Sequence, residues 1–242
     1  RDLLFRSCVY CTRAAGKMQG TRRAIFSRGL FKPSAPCYTA RKERCGTEEN
    51  GMEAKELLRV LHTAERLKDE TRHCYTSGGR RESVAEHSWR LALMAFFLRD
   101  EFPDTDMDRV IRMCLIHDLG ECFTGDIPAF DKTAQDESTE EALLYQWVAS
   151  LPSPCREEMR ALYDEMAALE TQEAQIYKAL DKLEAVISHN ESDISTWEDH
   201  EYDLQLTYGE QNVAFSPYLT ALRQAVRQES LDKIAREGDR RK

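Results

Sequence analysis

One polar stretch decides how this chain is interpreted: Ile116-His117-Asp118-Leu119-Gly120-Glu121. It places an imidazole and a carboxylate side by side at the end of an apolar run, and such groups are costly to bury without a partner. A divalent metal ion is the usual partner of such a pair. Two other fragments, Glu86-His87 and Leu180-Asp181-Lys182, could complete the ligand shell.

The composition is that of a globular protein, with 41% hydrophobic and 32% charged residues. No apolar stretch approaches the ~20 residues that span a bilayer, so no membrane partner is expected. Residues 1–51 hold 11 Lys and Arg against 4 Asp and Glu, while the remainder holds 23 basic and 39 acidic residues, a net charge of −16. This acidic body argues against binding of a nucleic acid polymer and favours a small substrate held by a few cations.

The basic segment of residues 1–51 lacks periodicity and is rich in Arg, Ser, Gly and Thr. It has some likeness to an organellar transit peptide, which would imply import. A translated upstream region, with Met52 as the native start, is an equal alternative because helical patterning begins directly after it. Either way we predict a disordered extension over 1–51 and one domain over 52–242. With eight cysteines and no secretory signal, we expect reduced thiols and a cytoplasmic location.

Helical signals follow one another from residue 53 onward, and no convincing strand appears. Leu57, Leu58, Leu61, Ala64 and Leu67 form an apolar stripe at helical spacing. Gly120 to Pro128 breaks the pattern and predicts a loop. The sequence therefore predicts an all-α helical bundle. Its expected helices cover about 53–67, 84–98, a helix capped by Asp104 or Thr105, 138–150, a helix that begins with Pro154 and ends near 169, 172–190, 199–210 and 217–236.

The candidate metal ligands are His87, His117, Asp118 and Asp181. His87 falls in the first turn of its helix, and His117 and Asp118 point about 100° apart on theirs, which suits neighbouring positions on one ion. Two imidazoles and two carboxylates favour a divalent transition metal (Mn, Co, Zn, Fe or Ni) over Ca²⁺. The remaining histidines, His62, His189 and His200, are interpreted as structural or surface residues, so one ion is expected.

These residues resemble a known family. The order H…HD…D is that of the HD-domain metal-dependent phosphohydrolases, and the likeness is closest to their YfbR-like 5′-deoxynucleotidase branch. Three segments carry it: residues 66–88, residues 117–128 with Thr124-Gly125-Asp126-Ile127-Pro128, and residues 178–184. The likeness covers roughly residues 55–230 and implies an HD-domain helical bundle.

The resemblance also implies roles for four further residues. Glu121 matches the acid that acts beside the metal and its water, and Asp126 matches the loop acid that contacts the sugar 3′-hydroxyl. Arg72 stands where the branch has a phosphate-binding arginine. His73 stands where bacterial members usually carry a tryptophan near the sugar, which implies that the preference for deoxyribose is weaker or is set by other residues.

The implied function is a metal-dependent phosphomonoesterase that removes the 5′-phosphate of (deoxy)ribonucleoside monophosphates. One alternative is another HD-type phosphohydrolase, acting on a phosphodiester, a nucleoside triphosphate or a guanosine alarmone. A second is a regulatory module that binds a metal or a nucleotide without turnover. The segment Trp197–Tyr202 resembles the family's C-terminal helices, which often pack on a second subunit, so a homodimer is possible; plain core packing explains it equally well.

Overall fold

The structure, a computed structural model, describes residues 51–238. The predicted extension lies outside this range except for Gly51, so its nature stays a prediction. The all-α class predicted from the sequence is confirmed, with one small sheet added. The helices are α1 Ala54–Ala64, α2 Val84–Phe97, α3 Met107–Ile116, α4 Glu121–Thr124, α5 Ala134–Ala149, α6 Cys155–Ala168, α7 Gln172–Glu191, α8 Glu201–Thr207, α9 Glu210–Val213 and α10 Pro217–Glu237.

Helix α7 forms the centre of the bundle. It packs against α2, α3, α6, α9, α10 and the small sheet. A helix with neighbours on several sides must be apolar around most of its circumference, and Ile176, Leu180 and Leu183 are accordingly buried. The same surroundings also bury Asp181 and Glu184, so these two acids need partners inside the protein.

A two-stranded antiparallel sheet, β1 Thr71–Tyr75 and β2 Arg81–Ser83, was not predicted from the sequence. Its turn includes Gly79, whose φ of +82° lies in the left-handed region. The sequence pattern does not indicate these strands, because some of their buried positions carry polar side chains, such as Glu82. The hydrophobic alternation that marks a half-buried strand is therefore missing.

Several helix boundaries also differ from the predictions, because neighbouring residues compete for the cap. Asp106, and not Asp104 or Thr105, caps α3 by accepting the N–H of Arg109 at 2.9 Å. Thr133 forms a capping box with Asp136 and starts α5 before the predicted Ser138. Pro154 is the residue before α6 rather than its first residue.

Two further predicted elements differ from those in the structure. The expected loop from Gly120 to Pro128 contains the short helix α4, and the single helix expected over 199–210 is divided into α8 and α9 at Gly209. No helix within residues 51–238 is both long enough and apolar enough to cross a bilayer. The leucine stripe of α1 stays largely at the surface, since Leu57, Leu58 and Leu61 are each about half exposed.

Substitution of Gly209 tests the packing of the turn before α9 against α7. Its φ is +78°, and a Cβ there would lie 2.8 Å from Cβ of Lys182. We expect Gly209→Ala to lower the free energy of unfolding by about 1–3 kcal/mol, because both the backbone and the contact are strained. Thermal and denaturant unfolding measure it. Gly78→Ala, which meets nothing closer than 3.6 Å, is the matched control, and equal stabilities of the two variants would contradict the interpretation.

Candidate active site

The predicted metal ligands come from three packed helices. His87 lies in the first turn of α2, directly after the capping box of Ser83 and Glu86. His117 and Asp118 follow the last residue of α3, and Asp181 lies in the middle of α7. Because α2, α3 and α7 pack on one another, the structure brings these four residues together.

The ligand atoms converge closely. His117 Nε2 lies 2.9 Å from Asp118 Oδ2 and 3.2 Å from His87 Nε2. Asp181 Oδ1 lies 3.4 Å from His87 Nε2 and 3.9 Å from His117 Nε2. Two adjacent ligands that each lie about 2.1 Å from an ion are separated by roughly 3 Å. His87, His117 and Asp118 therefore form a set that could hold a divalent ion, with Asp181 beside the two imidazoles.

Each imidazole presents Nε2 to this centre because its other nitrogen is engaged. His117 Nδ1 lies 2.9 Å from the carbonyl oxygen of Cys114, to which it can only donate. His87 Nδ1 contacts the carboxylate of Glu184. A proton held on Nδ1 leaves the Nε2 lone pair free for a metal.

Glu184 is a buried residue of the candidate site that was not predicted from the sequence. Its side chain is completely buried and contacts His87, Arg72 at 3.2 Å and Arg90 at 2.7 Å. Burial would raise its pKa, but the hydrogen bond to His87 and the two arginines outweigh burial and lower the pKa to about 2. The sequence offers only a second acid three residues after Asp181 on the same helix, and nothing local indicates its contacts with β1 and α2.

The two aspartates at the centre both have a pKa below the ordinary value. Burial opposes this, yet contact with His117 holds the pKa of Asp118 well below its usual range. Lys178 and Lys182 do the same for the pKa of Asp181. Their ammonium groups lie 3.0 and 3.5 Å from Asp181 Oδ2, which leaves Oδ1 facing the imidazoles.

Glu121 has the opposite electrostatics. Its carboxyl group is buried, and its Oε2 has no hydrogen-bond partner among the described residues. Burial, followed by the charges of Asp118 and Asp126, raises its pKa to about 10. A nearby cation would lower this pKa again, so an unpartnered acid beside the converging ligands also fits a bound divalent ion.

A cavity of about 300 Å³ opens from this centre. Asp118, Asp181 and Glu121 form part of its wall, while Arg72, Lys178 and Lys182 contribute positive charge. The two lysines were not among the predicted site residues. Arg72 contacts Glu82 at 3.3 Å as well as Glu184, and Glu184 and its other acidic neighbours keep its pKa above the ordinary value despite burial.

The remaining predicted residues line the same cavity. Asp126 follows Gly125, whose φ is +78°, and burial raises the pKa of its carboxyl group. The rings of His73 and Phe130 are perpendicular, with 5.3 Å between the ring centroids. His189, interpreted from the sequence only as structural or surface, is buried and also lines the cavity. His62 is an exposed residue of α1, and His200 contacts Phe130.

Residues 64–223 match the family model of the HD domain. The chain belongs to the HD-domain family. This confirms the membership predicted from the sequence and, with it, the assignment of the chain as a hydrolase.

Similar sequences and a similar crystal structure agree with this family assignment. The human 5′-deoxynucleotidase HDDC2 is 33% identical over 146 residues, 59% of this chain and 71% of the relative. The mouse protein of that name is 34% identical over 139 residues, 56% of this chain and 69% of the relative. The crystal structure of a "predicted metal-dependent phosphohydrolase" from Magnetospirillum magnetotacticum MS-1 superposes with a TM-score of 0.63 at 31% identity, covering 74% of this chain and 93% of that one.

The contact of Glu184 with His87 predicts an effect on metal affinity. We expect Glu184→Gln to weaken binding of Mn²⁺ or Co²⁺ roughly 10- to 100-fold, because His87 loses the carboxylate that orients its ring. Titration calorimetry and metal analysis after dialysis measure this. Glu191→Gln is the matched control, since Glu191 also contacts Arg90 but at the exposed end of α7. Equal affinities in the two variants would refute the role of Glu184.

Glu121 predicts how the stability of metal-free protein depends on pH. A folded-state pKa of about 10, above the ordinary value of 4.5, means that the native state binds more protons than the unfolded chain between these values. Stability must then fall as pH rises through that window. In EDTA, the melting temperature of Glu121→Gln should exceed that of wild type by a margin that grows from pH 5 to pH 9. If the melting temperatures of the two proteins change with pH by the same amount, Glu121 is already ionised in the metal-free fold and the prediction is wrong.

Proposed function

We propose that this HD-domain hydrolase is a metal-dependent phosphomonoesterase that removes the 5′-phosphate of nucleoside monophosphates, deoxyribonucleotides among them. One observation carries the proposal: a converging set of two imidazoles and two aspartates opens into a cavity whose wall supplies both an unpartnered acid and several cations. The human and mouse relatives named 5′-deoxynucleotidase support the substrate class.

The proposed cofactor is one divalent transition metal held by His87, His117, Asp118 and Asp181. Two nitrogen and two oxygen donors suit Mn²⁺, Co²⁺, Zn²⁺, Fe²⁺ or Ni²⁺. When bound, such an ion polarises the phosphate and lowers the pKa of a coordinated water. The histidine tautomers described above keep both Nε2 lone pairs directed at it.

The phosphate group is assigned to the positively charged part of the cavity. Arg72 is held rigidly by Glu82 and Glu184, so it presents its guanidinium group without much loss of side-chain freedom. Lys178 and Lys182 add two ammonium groups beside Asp181. These cations balance the charge that accumulates on the phosphate oxygens during transfer.

Glu121 and Asp126 are assigned to the water and to the sugar. Glu121 has a buried oxygen with no hydrogen-bond partner among the described residues, so it is free to orient an attacking water and to accept its proton. Asp126 lies on the same wall of the cavity and is assigned to the sugar 3′-hydroxyl. The size of the cavity, about 300 Å³, suits a mononucleotide better than a polymer.

The decisive experiment is a screen of metals against nucleoside monophosphates with purified protein. We expect release of inorganic phosphate with at least one of the five ions, and EDTA should abolish it. Glu121→Gln should lower kcat roughly 100-fold or more while binding the ion, because proton transfer is lost. Glu170→Gln, at an exposed position, is the control.

Product analysis separates the alternatives. Pyrophosphate or triphosphate as product would assign the chain to another type of HD phosphohydrolase. Nucleotide binding without any product would support a regulatory module. If no phosphate appears with any ion, or if Glu121→Gln keeps wild-type kcat, the proposed mechanism is wrong.

A further inference from the structure

A second polar cluster lies in the cavity wall, apart from the metal ligands. Glu201 of α8 places Oε1 3.2 Å from Nε2 of His73 on β1 and 3.1 Å from Nε2 of His189 on α7. The two imidazole rings are nearly parallel, with an angle of 14° and 6.2 Å between centroids. One carboxylate oxygen thus faces two imidazoles that come from different elements.

Glu201 itself is firmly held. It is 3% exposed, and its Oε2 accepts the backbone N–H of Glu198 at 2.7 Å. Burial would raise its pKa, but the contact with His189 and the Glu198 N–H outweigh burial and lower the pKa to about 2. Glu201 is therefore a fixed negative charge in contact with both imidazoles. Neither contact has hydrogen-bond geometry, so the Nε2 atoms of His73 and His189 have no hydrogen-bond partner among the described residues.

The distance of this cluster from the metal centre can be read along α7. His189 lies eight residues after Asp181, which is about 12 Å along a helix. Ala185 and Val186 lie between them and line the same cavity. The cavity thus runs from the cationic end, beside Asp181, to the imidazoles over a distance comparable to the length of a nucleoside monophosphate.

The surroundings of the cluster are those of a site for a flat polar group. The His73 side chain is 21% exposed, so part of its ring is accessible from the cavity. Phe130 stands edge-on to it at 5.3 Å, and Leu204 and Tyr208 add apolar wall. Aromatic faces bind the π-face of any base, while ring nitrogens can exchange hydrogen bonds with base edges or sugar hydroxyls.

We propose that Glu201 is a positioning residue that holds His73 and His189 as a rigid pair, and that this pair binds the nucleoside part of the substrate. The proposal rests on the proposed function, since it assigns the nucleoside end of the same cavity. It adds a specificity determinant on α8 that acts through the imidazoles and has no contact with the metal ligands in the described structure.

A purely structural role must be separated from this one. His189 also packs against Trp197, whose Nε1 donates to the His189 carbonyl oxygen at 3.1 Å. If Glu201 served only this packing, its loss would lower stability and affect every substrate alike. A positioning role instead affects substrates according to whether they carry a nucleoside.

The test compares deoxyadenosine 5′-monophosphate with phenyl phosphate, which has no nucleoside. For Glu201→Gln we expect KM for the nucleotide to rise roughly 10-fold, in line with the loss of one buried charged contact, with kcat changed less than KM. The ratio of kcat/KM for the nucleotide to that for phenyl phosphate should fall by a similar factor. Glu198→Gln, whose side chain is 55% exposed, is the matched control.

A second readout does not depend on turnover. Deoxyadenosine alone should bind wild-type protein measurably by calorimetry and bind Glu201→Gln more weakly, with one metal ion per chain in both. Equal effects on the two phosphate esters, unchanged deoxyadenosine binding, or a second ion that is lost with Glu201 would overturn the proposal. If wild type hydrolyses neither ester, the proposed function fails while deoxyadenosine binding still tests the cluster. If Glu201→Gln does not fold, His73→Ala, on the partly exposed ring, replaces it in both measurements.

Discussion

The contact between His87 and Glu184 is the interaction on which the rest of the site depends. It joins the start of α2 to the centre of α7, and the same carboxylate also contacts Arg72 of β1 and Arg90 of α2. A buried charge of this kind is tolerated only when it is fully paired. The same buried carboxylate therefore joins α2, α7 and β1 and also orients the imidazole of His87.

The sequence was sufficient to predict the residues that converge at the candidate metal site because they lie in short segments with characteristic spacing. His117 and Asp118 are adjacent, and the loop with Asp126 follows at a fixed offset. Glu184 and Glu201 were not found. Their contacts reach across the fold, 97 residues away in the pair of Glu184 with His87, and no local pattern in the sequence indicates such a contact.

The fold was also predicted in part, and the predictions that were wrong have a related physical cause. Helical periodicity identified α2, α3 and α7 because each buries a continuous apolar face. The sheet was missed because β2 buries Glu82, whose partners lie in other elements. Cap positions were misplaced where two adjacent stretches offered equivalent hydroxyl or carboxyl groups, as at Thr133 and Ser138, and only tertiary packing decides between them.

Helix α7 carries both Asp181 and His189, near opposite ends of one cavity. One helix would thus carry a ligand of the proposed metal ion and, about two turns further on, a residue of the proposed nucleoside pair. Substitutions around His189 could then change which substrate binds, while the ligands around Asp181 stay unchanged. Such an arrangement would allow related proteins to differ in substrate preference while they keep the same reaction.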